Sequence, residues 1–155
     1  MRIFLDTNII IEYLCARQQK DLVERIFESA DDKEHEYHIS LGSFYTLTYL
    51  LEDHLKRNGI HRPDLTEKLR QVLTGLLAIF RVSSITESQL MKGVTDLRFD
   101  DLEDSYQFQV AKQHHCNLFV TINTKDFRKT DTDDLPIITP QQFINTYLSN
   151  INISR

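Results

Sequence analysis

The sequence contains few residues that interrupt regular structure, and it contains no long apolar run. Of its 155 residues, four are glycine and three are proline. No Pro/Gly-rich linker divides the chain, so we expect residues 1–155 to form a single domain. No apolar stretch approaches the roughly 20 residues of a membrane span, and no basic-then-apolar leader precedes a cleavage site. These absences predict a cytoplasmic protein that does not bind a membrane.

Cysteine is scarce, and the chain has no net positive charge. The two cysteines, Cys15 and Cys116, do not have the C-x-x-C spacing of metal or redox sites. We therefore predict two unpaired, buried thiols. The net charge of −5 disfavours broad nonspecific binding to nucleic acid, which depends on Lys and Arg neutralising phosphates. Contact with RNA or DNA would need a local basic patch, a bound cation or a basic partner.

Short apolar runs alternate along the chain with longer stretches of helical periodicity. Helices are predicted near residues 8–17, 20–30, 43–57, 63–79 and 99–114, with shorter ones beginning near 86 and 139. Strands are predicted at 3–5, 37–39, 80–83, 117–121 and 135–138. Strands that alternate with helices are typical of a parallel sheet covered on both faces. The predicted fold class is α/β: a three-layer α/β/α sandwich with a central parallel sheet of four to five strands.

A carboxylate directly follows the first predicted strand. Residues 3–5 are apolar enough to be buried on both faces of a sheet, and Asp6 comes next. Thr7 or Asn8 is expected to cap the helix that follows. In open α/β sheets, ligands bind beyond the carboxyl ends of the strands. Asp6 is therefore predicted to lie at a ligand site.

A second acidic region places five acids within the nine residues from Asp96 to Asp104. Acids are favourable at a helix N-terminus, and Asp101 as a cap with Asp104 three residues later is a plausible pair. That explanation covers one or two of the acids. Five like charges are destabilising unless a cation or a basic group lies among them, so the segment favours a metal site over a purely structural role.

A third polar segment follows the strand predicted at 117–121. It contains Thr121, Asn123 and Asp126. Taken alone, Asn123 and Asp126 are common turn-forming residues. Together with Asp6 and Asp104 they supply oxygen ligands from three separate segments, which suits Mg²⁺ or Mn²⁺.

Segments 5–8, 101–105 and 120–127 resemble the three signatures of the PIN-domain nucleases, and 135–143 resembles the last strand and helix of that family. The resemblance extends over nearly the whole chain in the right order, and points to the VapC-like toxin ribonucleases. It implies a metal-dependent endoribonuclease, often the toxin of a bacterial toxin–antitoxin pair. The implied cofactor is Mg²⁺ or Mn²⁺, and the implied partners are RNA, an antitoxin protein and a second copy of the chain.

The resemblance also assigns the site residues. Asp6 and Asp104 correspond to the first and third acids of the family's quartet. Asn123 stands where the fourth acid usually is, and Asp126 lies three residues beyond. The resemblance thus implies Asp6, Asp104, Asn123 and Asp126 as catalytic residues, with Asp6, Asp104 and Asp126 as metal ligands. The second acid should fall near residues 44–46, but no carboxylate occurs in residues 40–51, so the chain resembles a branch that lacks it.

Two basic clusters are candidates for contacting RNA phosphates. The segment 56–70 carries five basic residues against two acids, and Lys56, Arg57 and Arg62 are its candidates. Helices often carry such charges for solubility, so that alternative stays open. Lys125, Arg128 and Lys129, just past the predicted site, form the second cluster, and Lys125 and Arg128 are its candidates.

The primary hypothesis is a metal-dependent endoribonuclease of a toxin–antitoxin pair. The first alternative is a PIN-fold module that has lost part of its quartet and binds nucleic acid or a protein partner. A small-molecule phosphatase is a third possibility, which would need an enclosed pocket.

Oligomeric state is predicted from the helices near 8–30 and 42–58, which carry more apolar positions than one sheet face covers. Ile9, Ile10, Ile11, Tyr45 and Tyr49 are among them, and they favour a homodimer. The alternative is that the helices between 56 and 79 fold back and cover this surface within one chain.

Overall fold

The computed structural model describes residues 1–31, 33–130 and 134–148. A five-stranded sheet crosses the described structure, and each neighbouring pair of strands is parallel. The strand order is β3-β2-β1-β4-β5. The strands are β1 (Arg2–Leu5), β2 (Glu36–Ser40), β3 (Arg81–Ser83), β4 (Leu118–Val120) and β5 (Ile137–Ile138).

Helices cover both faces of this sheet, which confirms the predicted three-layer α/β/α fold. They are α1 (Thr7–Leu14), α2 (Lys20–Glu28), α3 (Leu41–Arg57), α4 (Asp64–Ile79), α5 (Glu87–Thr95), α6 (Leu102–Gln113) and α7 (Pro140–Phe143). Short 3₁₀ helices occupy Ser29–Asp31 and Thr124–Thr130, and a π-helical turn at Ile144–Leu148 extends α7. Of the helices in the described ranges, none has the length and apolarity needed to cross a membrane.

The central strand β1 is buried on both faces, as its apolar run predicts. Ile3 and Leu5 belong to a core shared with α1, α2, α3, α4 and α7. Phe4 faces the other way and stacks on Phe119 of β4, with the ring centroids 5.0 Å apart. On that second face, Phe108 of α6 joins the same cluster. Because β1 lies in the middle of the sheet, the residue that follows it is held between two neighbouring strands.

The apolar side chains of α1 that were expected to exceed one sheet face are buried within the chain itself. Ile9, Ile10 and Ile11 are all buried in the core on that side of the sheet, so the part of the dimer argument that rested on these residues is wrong. By contrast, Tyr45 and Tyr49 on α3 are 66% and 70% exposed. Leucines of α3 and α4 pack together in a separate small core, but this packing leaves the two tyrosines uncovered. The prediction of a homodimer now rests on α3.

Helix ends agree with the capping chemistry at most positions. Ser40 caps α3, and Thr139 forms a capping box with Gln142 at the start of α7. The prediction that Thr7 or Asn8 caps α1 is wrong, because Asp6 itself is the N-cap and accepts from the Asn8 backbone N–H. Both cysteines are free, as predicted, although Cys15 is only half-buried.

Helices α5 and α6 pack closely, and their contact sets the start of α6. A β-carbon on Gly93 would lie 2.8 Å from the ring of Tyr106, so only glycine fits here without a shift. The hydroxyl of the fully buried Ser105 donates to the Gly93 carbonyl oxygen over 2.8 Å. This contact anchors the first turn of α6, which carries Asp104, one of the predicted site residues.

Candidate active site

A cavity of about 310 Å³ lies where β1 and β4 end. All four residues predicted to be catalytic line it, so the structure brings together side chains from three separate segments. Two further acids, Asp101 and Glu103, join them. The cavity is therefore lined by five carboxylates and three carboxamides: Asp6, Asp101, Glu103, Asp104, Asp126, Asn8, Gln107 and Asn123.

Asp6 is held by the strand next to it. Its carboxylate accepts a 2.6 Å hydrogen bond from the Thr121 hydroxyl, and its backbone N–H donates to the Val120 carbonyl over 3.0 Å. The residue is only 2% exposed. Burial raises the pKa of Asp6, and hydrogen bonds, chiefly from Thr121 and Gln107, partly oppose that shift.

Asp104 lies in the first turn of α6 among other acids. Burial, followed by the charges of Asp6, Asp101, Asp126 and Glu103, raises its pKa from 3.8 to about 7. A carboxyl group with this pKa is only about half ionised at neutral pH. A cation placed among these carboxylates would lower their pKa values and relieve the repulsion.

Glu103 and Thr7 were missed by the sequence reasoning, although each is adjacent to a predicted site residue. The Thr7 hydroxyl lies 3.2 Å from Glu103 Oε1 and 2.8 Å from Ser43 Oγ. Burial raises the pKa of Glu103, and Asp101 and Asp6 add to the shift, whereas the hydrogen bond with Thr7 opposes it. Gln107 Oε1 accepts from the Thr7 backbone N–H over 3.0 Å. The spacing of Glu103 and Gln107, four residues apart on α6, is the signal that could have placed both on one helix face.

Within residues 44–46, where the resemblance places the second acid, the residue that lines the cavity carries a hydroxyl group, and a second hydroxyl lies just before this range. Thr46 of α3 lines the cavity, and Ser43 joins the network around Thr7 and Gln107. Neither can supply a negative charge. The departure from the family's quartet that the sequence indicates is therefore present in the structure.

Asn123 and Asp126 form the wall of the cavity that follows β4. The Asn123 side-chain amide donates to the Asp126 carboxylate, and its backbone N–H donates to Thr121 Oγ1 over 3.0 Å. Thr121 thus links this wall to Asp6.

Of the five acids between residues 96 and 104, one has a structural role outside the cavity. Asp96 pairs with Arg98 over 2.6 Å and accepts from Gln109 over 3.3 Å. The hydrogen bond from Arg98 is the main reason that the pKa of Asp96 is lowered. Asp101 has two roles, because it caps α6 through the Glu103 N–H and also lines the cavity.

None of the five basic residues predicted to contact nucleic acid lines the cavity. Lys56 pairs with Glu52 over 2.6 Å, Arg57 with Asp53 over 2.7 Å, and Arg62 lies 3.7 Å from Glu52. These exposed pairs lie near the far end of α3, a helix about 25 Å long that begins beside the site. Lys125 and Arg128 lie on the 3₁₀ helix that also carries Asp126.

The chemistry of the donor set fits a hard divalent cation, since Mg²⁺ and Mn²⁺ prefer carboxylate and carbonyl oxygens. Across residues 1–31, 33–130 and 134–148, no three acidic, histidine or cysteine side chains form a ready-made metal site. Two of the carboxylates instead accept side-chain hydrogen bonds, Asp6 from Thr121 and Asp126 from Asn123.

The parallel sheet with an acidic cavity beyond its central strands is the arrangement that the resemblance implied. A family model of the PIN domain matches residues 2–125, which is most of the chain. The chain belongs to the PIN domain family.

Two solved structures have a similar fold. A chain in the structure of VapBC2 from Rickettsia felis, bound to a DNA fragment from its promoter, has a TM-score of 0.66 at 17% identity and covers 90% of this chain and 98% of that one. VapC20 from Mycobacterium tuberculosis, a toxin that cleaves the sarcin–ricin loop, has a TM-score of 0.53 at 18% identity. The match covers 76% of the present chain and 86% of VapC20. No curated protein matches in sequence.

Proposed function

We propose that this chain is a metal-dependent endoribonuclease that hydrolyses RNA phosphodiester bonds, and that it is the toxin of a toxin–antitoxin pair. The observation that carries the proposal is the cavity with five carboxylates, in which acidic neighbours contribute to the raised pKa of Asp104. An open cavity of this kind suits a polymer better than a small phosphate ester, so we favour RNA over a phosphatase substrate.

Asp6, Asp104 and Asp126 are the proposed ligands of Mg²⁺ or Mn²⁺, and Glu103 and Asn123 offer further oxygens. The bound cation would supply Lewis acidity to the phosphate and lower the pKa of the attacking water. Thr121 fixes the Asp6 carboxylate, and Thr7 contacts Glu103. Hydrolysis by water at the P–O3′ bond leaves a 5′-phosphate and a 3′-hydroxyl.

Cleavage of defined RNAs with Mg²⁺, Mn²⁺ or a chelator tests this proposal. We expect metal-dependent cuts with 5′-phosphate ends, and no cuts in the presence of the chelator. Cleavage that persists in the chelator, or products that carry a 2′,3′-cyclic phosphate, would contradict it.

A second candidate function is a binding module without cleavage. It is favoured by the absence of an acid from residues 44–46, where the resemblance places one, and by the hydroxyl group of Thr46 that lines the cavity there. RNA binding by the purified protein, with no products under any divalent metal, would favour this module over the nuclease.

The proposal includes a cytoplasmic location, a single domain over residues 1–155 and an antitoxin partner, and the similarity to a chain of VapBC2 from Rickettsia felis supports the partner. It also includes a homodimer formed through α3, where Tyr45 and Tyr49 are exposed.

A further inference from the structure

The acidic cavity contains one positively charged side chain that the proposed mechanism does not use. Among the described residues that line the cavity, Arg17 is the one basic residue. Its side chain is exposed and makes no ion pair or hydrogen bond within the described part of the chain. Lys56 and Arg57, in contrast, are engaged by acids on their own helix.

The turn that carries Arg17 is held in place by its backbone. The Arg17 N–H donates to the Glu12 carbonyl over 2.9 Å, and the Arg17 carbonyl accepts from the Lys20 N–H over 3.1 Å. The Glu12 carboxylate accepts from the Gln19 N–H over 2.9 Å. Ala16 has a φ of 49°, in the left-handed region, which allows the chain to turn between α1 and α2. The backbone of Arg17 is thus fixed by hydrogen bonds before any ligand binds, and this sets where the guanidinium can reach.

The negative charge of the cavity is unfavourable for binding an RNA strand. Five carboxylates repel the phosphates of the substrate, and a cation held among Asp6, Asp104 and Asp126 offsets this only beside those groups. A guanidinium that has no carboxylate partner in the described part of the chain is free to bind a phosphate with two parallel N–H···O bonds. Because Arg17 lines the same cavity as the carboxylates, a phosphate bound to it would belong to the strand at the site.

We propose that Arg17 binds a phosphate group of the RNA strand and positions the strand in the acidic cavity. This inference rests on the proposed function, because it takes RNA as the ligand. It assigns the substrate contact to the α1–α2 turn, and not to the basic residues at the end of α3.

Binding is best measured without cleavage, on the Asp6→Asn protein with a fluorescent single-stranded RNA, over a series of salt concentrations. We expect Arg17→Gln to weaken binding roughly fivefold to twentyfold and to reduce the slope of log Kd against log salt by about one phosphate contact. Arg17→Lys retains the positive charge but cannot form two parallel N–H···O bonds with one phosphate. We therefore expect it to keep the salt slope and to bind the RNA a few-fold more weakly. Arg25→Gln is the matched control, because Arg25 is an exposed arginine on α2 that does not line the cavity.

The outcomes separate this inference from the proposed nuclease function. If the parent chain cleaves RNA while Arg17→Gln binds RNA as Arg25→Gln does, the inference on Arg17 is wrong and the nuclease stands. If the parent chain never cleaves RNA but its binding depends on Arg17, the nuclease is wrong and the contact stands. If Arg17→Gln melts at a lower temperature than the parent, the affinity and salt slope of Arg17→Lys decide whether Arg17 binds a phosphate. The reference is a folded Arg25→Gln protein with unchanged affinity and salt slope.

Discussion

The hydroxyl of Thr121 donates a 2.6 Å hydrogen bond to Oδ2 of Asp6, and this contact joins the ends of β1 and β4. Thr121 is fully buried, and its oxygen also accepts from Asn123 N–H and lies 3.3 Å from the Asn8 side-chain amide. One threonine therefore organises both the first acid of the site and the wall that carries Asp126.

Thr121→Val removes this contact while keeping the shape of the side chain. We expect a loss of about 1–3 kcal/mol in the free energy of unfolding, because a buried carboxylate loses a donor, together with weaker metal binding. Urea unfolding and Mn²⁺ titration measure the two effects. Thr130→Val is the control, since the buried Thr130 hydroxyl donates to the Phe127 carbonyl over 2.7 Å and Thr130 does not line the cavity. This variant should lower stability but leave metal binding unchanged. Equal metal affinity in both variants would contradict the positioning role of Thr121.

Asp6→Asn is expected to abolish RNA cleavage without unfolding the protein. Thr121 and Asn8 donate to different oxygens of the Asp6 carboxylate, so the single oxygen of the amide retains one of the two hydrogen bonds. Removal of a buried charge that neighbouring acids crowd offsets the loss of the other, so the free energy of unfolding should be unchanged or higher. Thermal melting with and without Mg²⁺ and a cleavage assay test this. Asp100→Asn, in the same acidic segment but outside the cavity, should retain both cleavage and metal stabilisation. If Mg²⁺ still stabilises the Asp6→Asn protein, the assignment of Asp6 as a metal ligand is wrong.

The raised pKa of Asp104 predicts how stability depends on pH. The folded chain holds this proton up to about pH 7, whereas the unfolded chain releases it near pH 3.8. Between these values the folded state binds more protons, so this group lowers the free energy of unfolding as the pH rises. Metal-free Asp104→Asn should therefore lose less stability than the parent from about pH 4 to about pH 7 in urea unfolding. Parallel curves for the two proteins would contradict the raised pKa, and Asp100→Asn should follow the parent.

Metal affinity should depend on pH through the same group. A ligand carboxylate must be ionised, so Mn²⁺ affinity is expected to fall as the pH drops below about 7, by up to about tenfold per pH unit for one displaced proton. Calorimetric titrations at several pH values measure this directly. Affinity that stays flat from pH 8 down to about 4, the ordinary carboxylate range, would contradict a carboxylate site.

The homodimer is tested by light scattering at micromolar concentration. We expect a mass of twice the single-chain 18.3 kDa, and Tyr45→Ser with Tyr49→Ser should return it to the single-chain value because these exposed rings lie on α3. Leu97→Ser, which changes a 92% exposed apolar residue between α5 and α6, is the control and should remain dimeric. A mass near 18.3 kDa for the unaltered chain would exclude the dimer.

Much of the fold could be predicted because its signals are local. Residues 3–5 are apolar without interruption, so they had to lie in a strand buried on both faces, and Gly59 marks the end of α3 with a φ of 81°. Once the sheet is parallel, the residues that follow adjacent strands meet at one edge. That geometry placed Asp6 and Asn123 together from sequence alone.

The contacts that complete the site could not be predicted in the same way. The pairing of Thr7 with Glu103, separated by 96 residues, depends on how α1 and α6 are rotated about their axes. The ion pairs of Lys56 and Arg57 are different, because their acids lie four residues earlier on α3, a spacing that the sequence does contain. A count of charges along the sequence cannot distinguish a basic patch from a row of ion pairs.

The sequence by itself determined the order of strands and helices, the membership of the PIN family and the three segments that carry the acids. These follow from periodicity and from short motifs, which do not depend on distant parts of the chain. Only the tertiary structure decided that Arg17 lines the acidic cavity, that Ile9, Ile10 and Ile11 are buried within one chain, and that Asp104 has a raised pKa. Each of these depends on which surfaces are brought together and removed from water, and that is a property of packing between elements distant in sequence.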